Sequence, residues 1–169
     1  MRKVLILDTS ILCVWLEVPG RECCGPDYDR WDKLRVDQKI QEEEQANTTF
    51  VLPIASIIET GNHIAHASHS RRECAQRLAS LMVLSAQKQS PWAAFSEHTL
   101  LWSPEKLEQL AKEWPDLANQ KISLADATII NVAAYYKEMQ RSVEILTGDQ
   151  GLKAFEPIMI PQNPRRRQR

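Results

Sequence analysis

Apolar positions along the chain fall into short blocks separated by longer stretches of helical period. Five blocks, residues 4–7, 50–54, 99–102, 143–147 and 158–160, read as strands. The first, Val4 to Leu7, is an unbroken aliphatic run, the pattern of a strand buried on both faces inside a parallel sheet. Residues 19–47 open with the turn-rich "PGRECCGPDYD" and continue as a charged helix expected to turn Trp31, Leu34 and Ile40 inward. A second helix, from Ser70, spaces Cys74, Leu78, Leu81 and Met82 for burial, and a third starts at Pro104 with Ser103 as its N-cap. Strands alternating with helices predict an α/β fold in three layers, α/β/α, around a mostly parallel central sheet of about five strands.

At 169 residues the chain has the length of one domain, read as residues 1–161, followed by a basic tail, 162–169, expected to be disordered. Its 21 Lys and Arg balance 22 Asp and Glu, so any nucleic-acid site has to come from local charge. No apolar run approaches the roughly 18 to 20 residues of a membrane span, and Asp8 interrupts the first block too early for a signal peptide. Cys13, Cys23, Cys24 and Cys74 lack the paired spacing of a zinc ribbon. The expectation is a cytoplasmic protein with reduced thiols and no membrane contact.

Acids recur where strands give way to helices. Asp8 follows the first strand, Glu59 lies early in the helix after the second, Asp126 falls in the first turn of a helix capped by Ser123, and Asp149 follows the strand 143–147. Each has a plain structural reading: Asp8 and Asp149 as helix N-caps, Ser123 with Asp126 as a capping box, Glu59 as a surface carboxylate. In a parallel sheet, however, all four would share one edge. Carboxylates gathered there without basic partners repel one another by several kcal/mol per close pair at low dielectric. A hard divalent cation such as Mg²⁺ or Mn²⁺ relieves that repulsion, and carboxylate oxygens are its preferred ligands.

Asp8-Thr9-Ser10 at a strand end, a helical Glu59, the Ser123 to Ala127 helix start and Thr147-Gly148-Asp149 after a late strand stand in an order that resembles the PIN-domain ribonucleases, and in particular the VapC-type toxins of toxin–antitoxin modules. The resemblance runs from Val4 to about Phe155. It implies a Mg²⁺- or Mn²⁺-dependent endoribonuclease with Asp8, Glu59, Asp126 and Asp149 as the metal-binding acids, and with Ser10 and Thr147 orienting a carboxylate or a bound water. It further implies products bearing a 5′-phosphate and a 3′-hydroxyl, a homodimer, and a small antitoxin protein as partner. The segment between Asp8 and Glu59 is longer than in compact members of that family.

Outside the acids, His63 lies four residues after Glu59 and can share its helix face, within reach of RNA phosphate. His66 and His69 read as surface histidines. Arg71, Arg72 and the tail arginines Arg165, Arg166 and Arg167 are further candidates for phosphate contact through counterion release. Two other functions compete: a non-catalytic PIN-like module that binds RNA or protein, and a phosphatase using Asp8 as nucleophile, disfavoured because Ser10 stands where a second acid is required.

Overall fold

The N-terminal aliphatic run forms the middle strand of the sheet. In the computed structural model, which describes residues 3–93 and 95–158, the chain builds β1 (Lys3–Leu7), α1 (Thr9–Trp15), β2 (Cys23–Cys24), β3 (Trp31–Asp32), α2 (Lys33–Gln45), β4 (Thr49–Val51), α3 (Ile54–Ala65), α4 (Arg71–Ala86), α5 (Pro104–Asn119), α6 (Leu124–Glu138), β5 (Ser142–Leu146) and α7 (Gln150–Lys153). β1 pairs in parallel with β4 on one side, Leu5 opposite Phe50, and with β5 on the other, Leu5 opposite Glu144.

Strand alternation sorts the core into two faces. Leu5 and Leu7 pack with Ile11, Leu12, Val36 and Ile40 of α1 and α2. Val4 and Ile6 pack with Ile129, Val132, Ala133 and Tyr136 of α6. Helices therefore cover both sides of the sheet, as the strand–helix alternation predicts. A polar clamp joins the layers at the other end of β1: Glu43 of α2 and Glu144 of β5 are each bridged to both Lys3 and Lys39, and Thr48 donates to Glu43.

The sheet has three strands among the described residues, not five. Residues 99–102 belong to a 3-10 helix, Phe95–Trp102, and Leu100 is 69% exposed, so this apolar block is not a buried strand. The edge beside β4 is instead taken by a single parallel bridge between Phe50 and Trp92, with Phe50 N–H donating to Pro91 O at 2.9 Å and Ala93 N–H to Phe50 O at 2.8 Å. Ile158 lies outside any strand, and the rest of block 158–160 lies outside the described residues, as does the tail. β4 stops at Val51 because Pro53 has no N–H to give the ladder, and Ile54 begins α3.

The helix predicted after the turn-rich segment starts later, at Lys33, where Asp32 caps it by accepting from Arg35 N–H at 2.9 Å. Trp31 consequently sits in the short antiparallel hairpin β2–β3 and is buried there under the Arg35 guanidinium, 3.8 Å from its ring centroid. Leu34 is 67% exposed and Val36 takes the inward position in its place. In α4, Cys74 and Leu78 are buried as expected, Leu81 is half-buried, and Met82 faces outward.

Candidate functional site

Parallel pairing brings the ends of β1 and β5 to one edge, and with them the two strand-ending motifs. Asp8 is 4% exposed and caps α1. Its Oδ2 accepts from Ser10 N–H at 3.2 Å, from Ser10 Oγ at 2.7 Å and from Thr147 Oγ1 at 2.8 Å. The two hydroxyls are themselves fixed from the other motif, since Gly148 N–H donates to Ser10 Oγ and Asp149 N–H to Thr147 Oγ1, each at 2.9 Å. Ser10 and Thr147 thus fix the orientation of the Asp8 carboxylate.

The other three acids are tethered in a similar way. Asp149 Oδ1 accepts from Gly151 and Leu152 N–H groups and caps α7. Asp126 Oδ2 accepts from Ser123 N–H and Oγ in a complete capping box at the start of α6. Glu59 Oε2, one and a half turns into α3, accepts from Thr9 Oγ1 at 2.9 Å. Capping and chemistry are therefore not alternatives here. In every case one carboxylate oxygen holds the fold while no donor among the described residues reaches the other.

All four acids line one groove of about 260 Å³, together with Thr9, Ser10, Cys13, Arg21, Cys23, Cys24, His63 and Ser123. None of the four makes a salt bridge among the described residues. Burial pushes the Asp126 carboxyl above its usual range despite the Ser123 bonds, and the charges of Asp8 and Asp149 push it the same way. Burial likewise raises the Cys13 thiol to about 11, so it stays protonated at neutral pH.

In donor chemistry alone the four acids suit a hard divalent cation: half of their carboxylate oxygens are unengaged, and no cationic side chain among the described residues pairs with them. The spacing is looser than a finished coordination sphere, because among the described residues no three His, Cys, Asp or Glu side chains stand close enough to hold an ion together. Asp149, the N-cap of the four-residue α7, is exposed at the rim of the groove.

Of the basic candidates, His63 lines the groove, whereas Arg71 and Arg72 line a separate depression between α3 and α4, with Ile64, Leu78 and Met82. His66 and His69 are exposed and bond Asn62 O and Ser70 Oγ. Arg165, Arg166 and Arg167 lie outside the described residues. A larger cavity of about 930 Å³ opens at the opposite edge of the sheet, between Val4, Thr49, Trp92 and Arg141, and none of the four acids lines it.

The pattern of acids does not disclose that the inserted segment folds back onto the groove. Cys23, Cys24 and Arg21 all reach it. Cys24 and Gly25 press on the turn after β5: a Cβ on Gly148 would stand 2.6 Å from Cys24 Sγ and 2.7 Å from Gly25 N. Only the glycine of Thr147-Gly148-Asp149 permits that approach, and it is the one local sign in the sequence that another segment passes close by. No protein-family model, curated protein or solved structure matches the chain.

Proposed function

We propose that the protein is a Mg²⁺- or Mn²⁺-dependent endoribonuclease working through the groove of Asp8, Glu59, Asp126 and Asp149. One observation carries this reading: four carboxylates from separate elements line one groove at the carboxyl edge of a parallel sheet, each with one oxygen engaged by the fold and one that no donor among the described residues reaches. Asp8, Asp126, Asp149 and Glu59 would hold the cation, which when bound lowers the pKa of a water and offsets charge developing on the phosphate. Ser10 and Thr147 keep Asp8 from turning, and Thr9 does the same for Glu59. The protonated Cys13 thiol does not compete as a nucleophile. Attack by water from the side opposite the 3′-oxygen leaves a 5′-phosphate and a 3′-hydroxyl. The resemblance to VapC-type toxins extends the proposal to a homodimer inhibited by an antitoxin protein that covers the groove.

The deciding experiment incubates the purified protein with total RNA in Mg²⁺, Mn²⁺ or EDTA, beside folded Asp8→Asn and Asp126→Asn variants. Discrete fragments with 5′-phosphate ends, seen only with metal and intact acids, support the nuclease. The loose spacing of the acids favours a second reading, a PIN-like binding module without catalysis. RNA left intact under both metals, with no metal-induced rise in melting temperature, would make that module the better account.

A further inference from the structure

The groove contains one Lys or Arg side chain among its described lining residues, and that side chain neutralises none of the acids. Arg21 donates through Nη2 to His63 Nδ1 at 3.2 Å and makes no ion pair with a carboxylate among the described residues. An acceptor Nδ1 means a neutral imidazole, which binds the guanidinium without cancelling its charge. A guanidinium has five N–H donors, so most of the fork stays available to another molecule.

The placement of Arg21 is built rather than incidental. Val18-Pro19-Gly20-Arg21 closes as a type II turn, with proline second, Gly20 at φ +81°, and Arg21 N–H donating to Val18 O at 2.9 Å. Glu22 Oε1 accepts from Gly20 N–H, and Val18 is buried against Cys13, Ile64, Cys74 and Leu78. Arg77 ties the same segment to α4 through Leu16 O and Glu17 Oε2. His63 stands one helical turn beyond Glu59, on the acid-facing side of α3. The turn and the imidazole together aim a cation at the rim of an otherwise acidic groove.

We propose that Arg21, steadied by His63, binds a non-bridging phosphate oxygen of the RNA backbone and so sets the strand's register over the acids. This rests on the reading of the groove as an RNA-cleaving centre. Four carboxylates repel a polyanion, and a planar guanidinium fork matches phosphate geometry better than any other side chain. Arg71 and Arg72 do not line the groove, so among the described residues the positioning falls to Arg21.

The test measures binding of a fluorescein-labelled unstructured RNA to Asp8→Asn protein, with and without Arg21→Ala, between about 50 and 200 mM salt. The expected result is severalfold weaker binding at low salt and a log–log salt slope shallower by about 0.7, the value for one phosphate on a single strand. Arg21→Lys should keep the slope, because it keeps the charge. In the otherwise unaltered protein Arg21→Ala should raise KM for RNA more than it lowers kcat, at an unchanged melting temperature. Unchanged affinity, slope and KM, with RNA still cleaved, would overturn the Arg21 assignment alone. A protein that neither binds nor cleaves the RNA would remove the nuclease reading and this assignment with it.

Discussion

Thr147 Oγ1 donates to Asp8 Oδ2 across 2.8 Å, joining the residue after β5 to the residue after β1. The same hydroxyl accepts from Asp149 N–H, so one side chain sets the positions of two acids. Thr147→Val keeps the shape of this buried side chain and removes both bonds. It should destabilise the fold by about 1 to 3 kcal/mol, a buried bond to a charged group. Cleavage should fall about 10- to 100-fold, the usual effect of losing a group that orients a metal ligand. Thermal melting and single-turnover cleavage of the same preparation check both.

Asp126 carries a conflict between stability and function. Burial and the neighbouring acids raise its pKa, so at neutral pH its ionised form costs folding energy, and the cost is relieved as pH falls through the raised value. Asp126→Asn keeps an acceptor for Ser123 and removes the charge, so its melting temperature at pH 7 without divalent metal should exceed that of the unaltered protein. Mn²⁺ should raise the melting temperature of the unaltered protein and leave the variant nearly unmoved. A variant less stable than the parent in EDTA contradicts this account.

At Gly148 the constraint is steric. An added methyl would meet Cys24 Sγ at 2.6 Å and the backbone nitrogen of Gly25 at 2.7 Å. Gly148→Ala should cost about 1 to 3 kcal/mol by overpacking. Cys24→Ala should rescue it only in part, because the backbone contact remains. Denaturant melts of the single and double variants measure the difference.

The clamp at the far end of β1 adds an acid-sensitive contribution to stability. Burial pushes the Glu43 carboxyl up, but bonds from Lys3, Lys39 and Thr48 outweigh it and bring the pKa from 4.5 to about 2. A depressed carboxyl stabilises the fold fully above its unfolded value. That stability is lost as pH drops from about 4.5 towards 2. Glu43→Gln should therefore lower the melting temperature at pH 7 and flatten its dependence on pH below 5. An unchanged pH profile would show that the clamp does not hold in solution.

Much of this arrangement is legible in the chain. The aliphatic run ending at Asp8 marks a central parallel strand and the edge where the acids gather, and Ser123 with Asp126 announces a helix start by spacing alone. Thr99–Trp102 misleads because a four-residue apolar block has no period, and only burial separates a strand from a 3-10 turn. Leu34 misleads because Asp32 caps the helix late and hands the inward position to Val36. Arg21 is hidden for a different reason. Pro19-Gly20 predicts its turn, but contact with His63 forty-two positions on depends on how α1 and α3 pack. The directions of Arg71 and Arg72 follow from how α4 packs on α3.

On the proposed function, the unengaged oxygens of the four acids form a divalent-cation site. Titration of the protein with Mn²⁺ by calorimetry, beside Asp8→Asn and Glu59→Gln variants of intact fold, measures this directly. Saturable binding by the unaltered protein, abolished by Asp8→Asn and weakened by Glu59→Gln, is the expected result. Absence of binding, or binding that survives loss of Asp8, would contradict it.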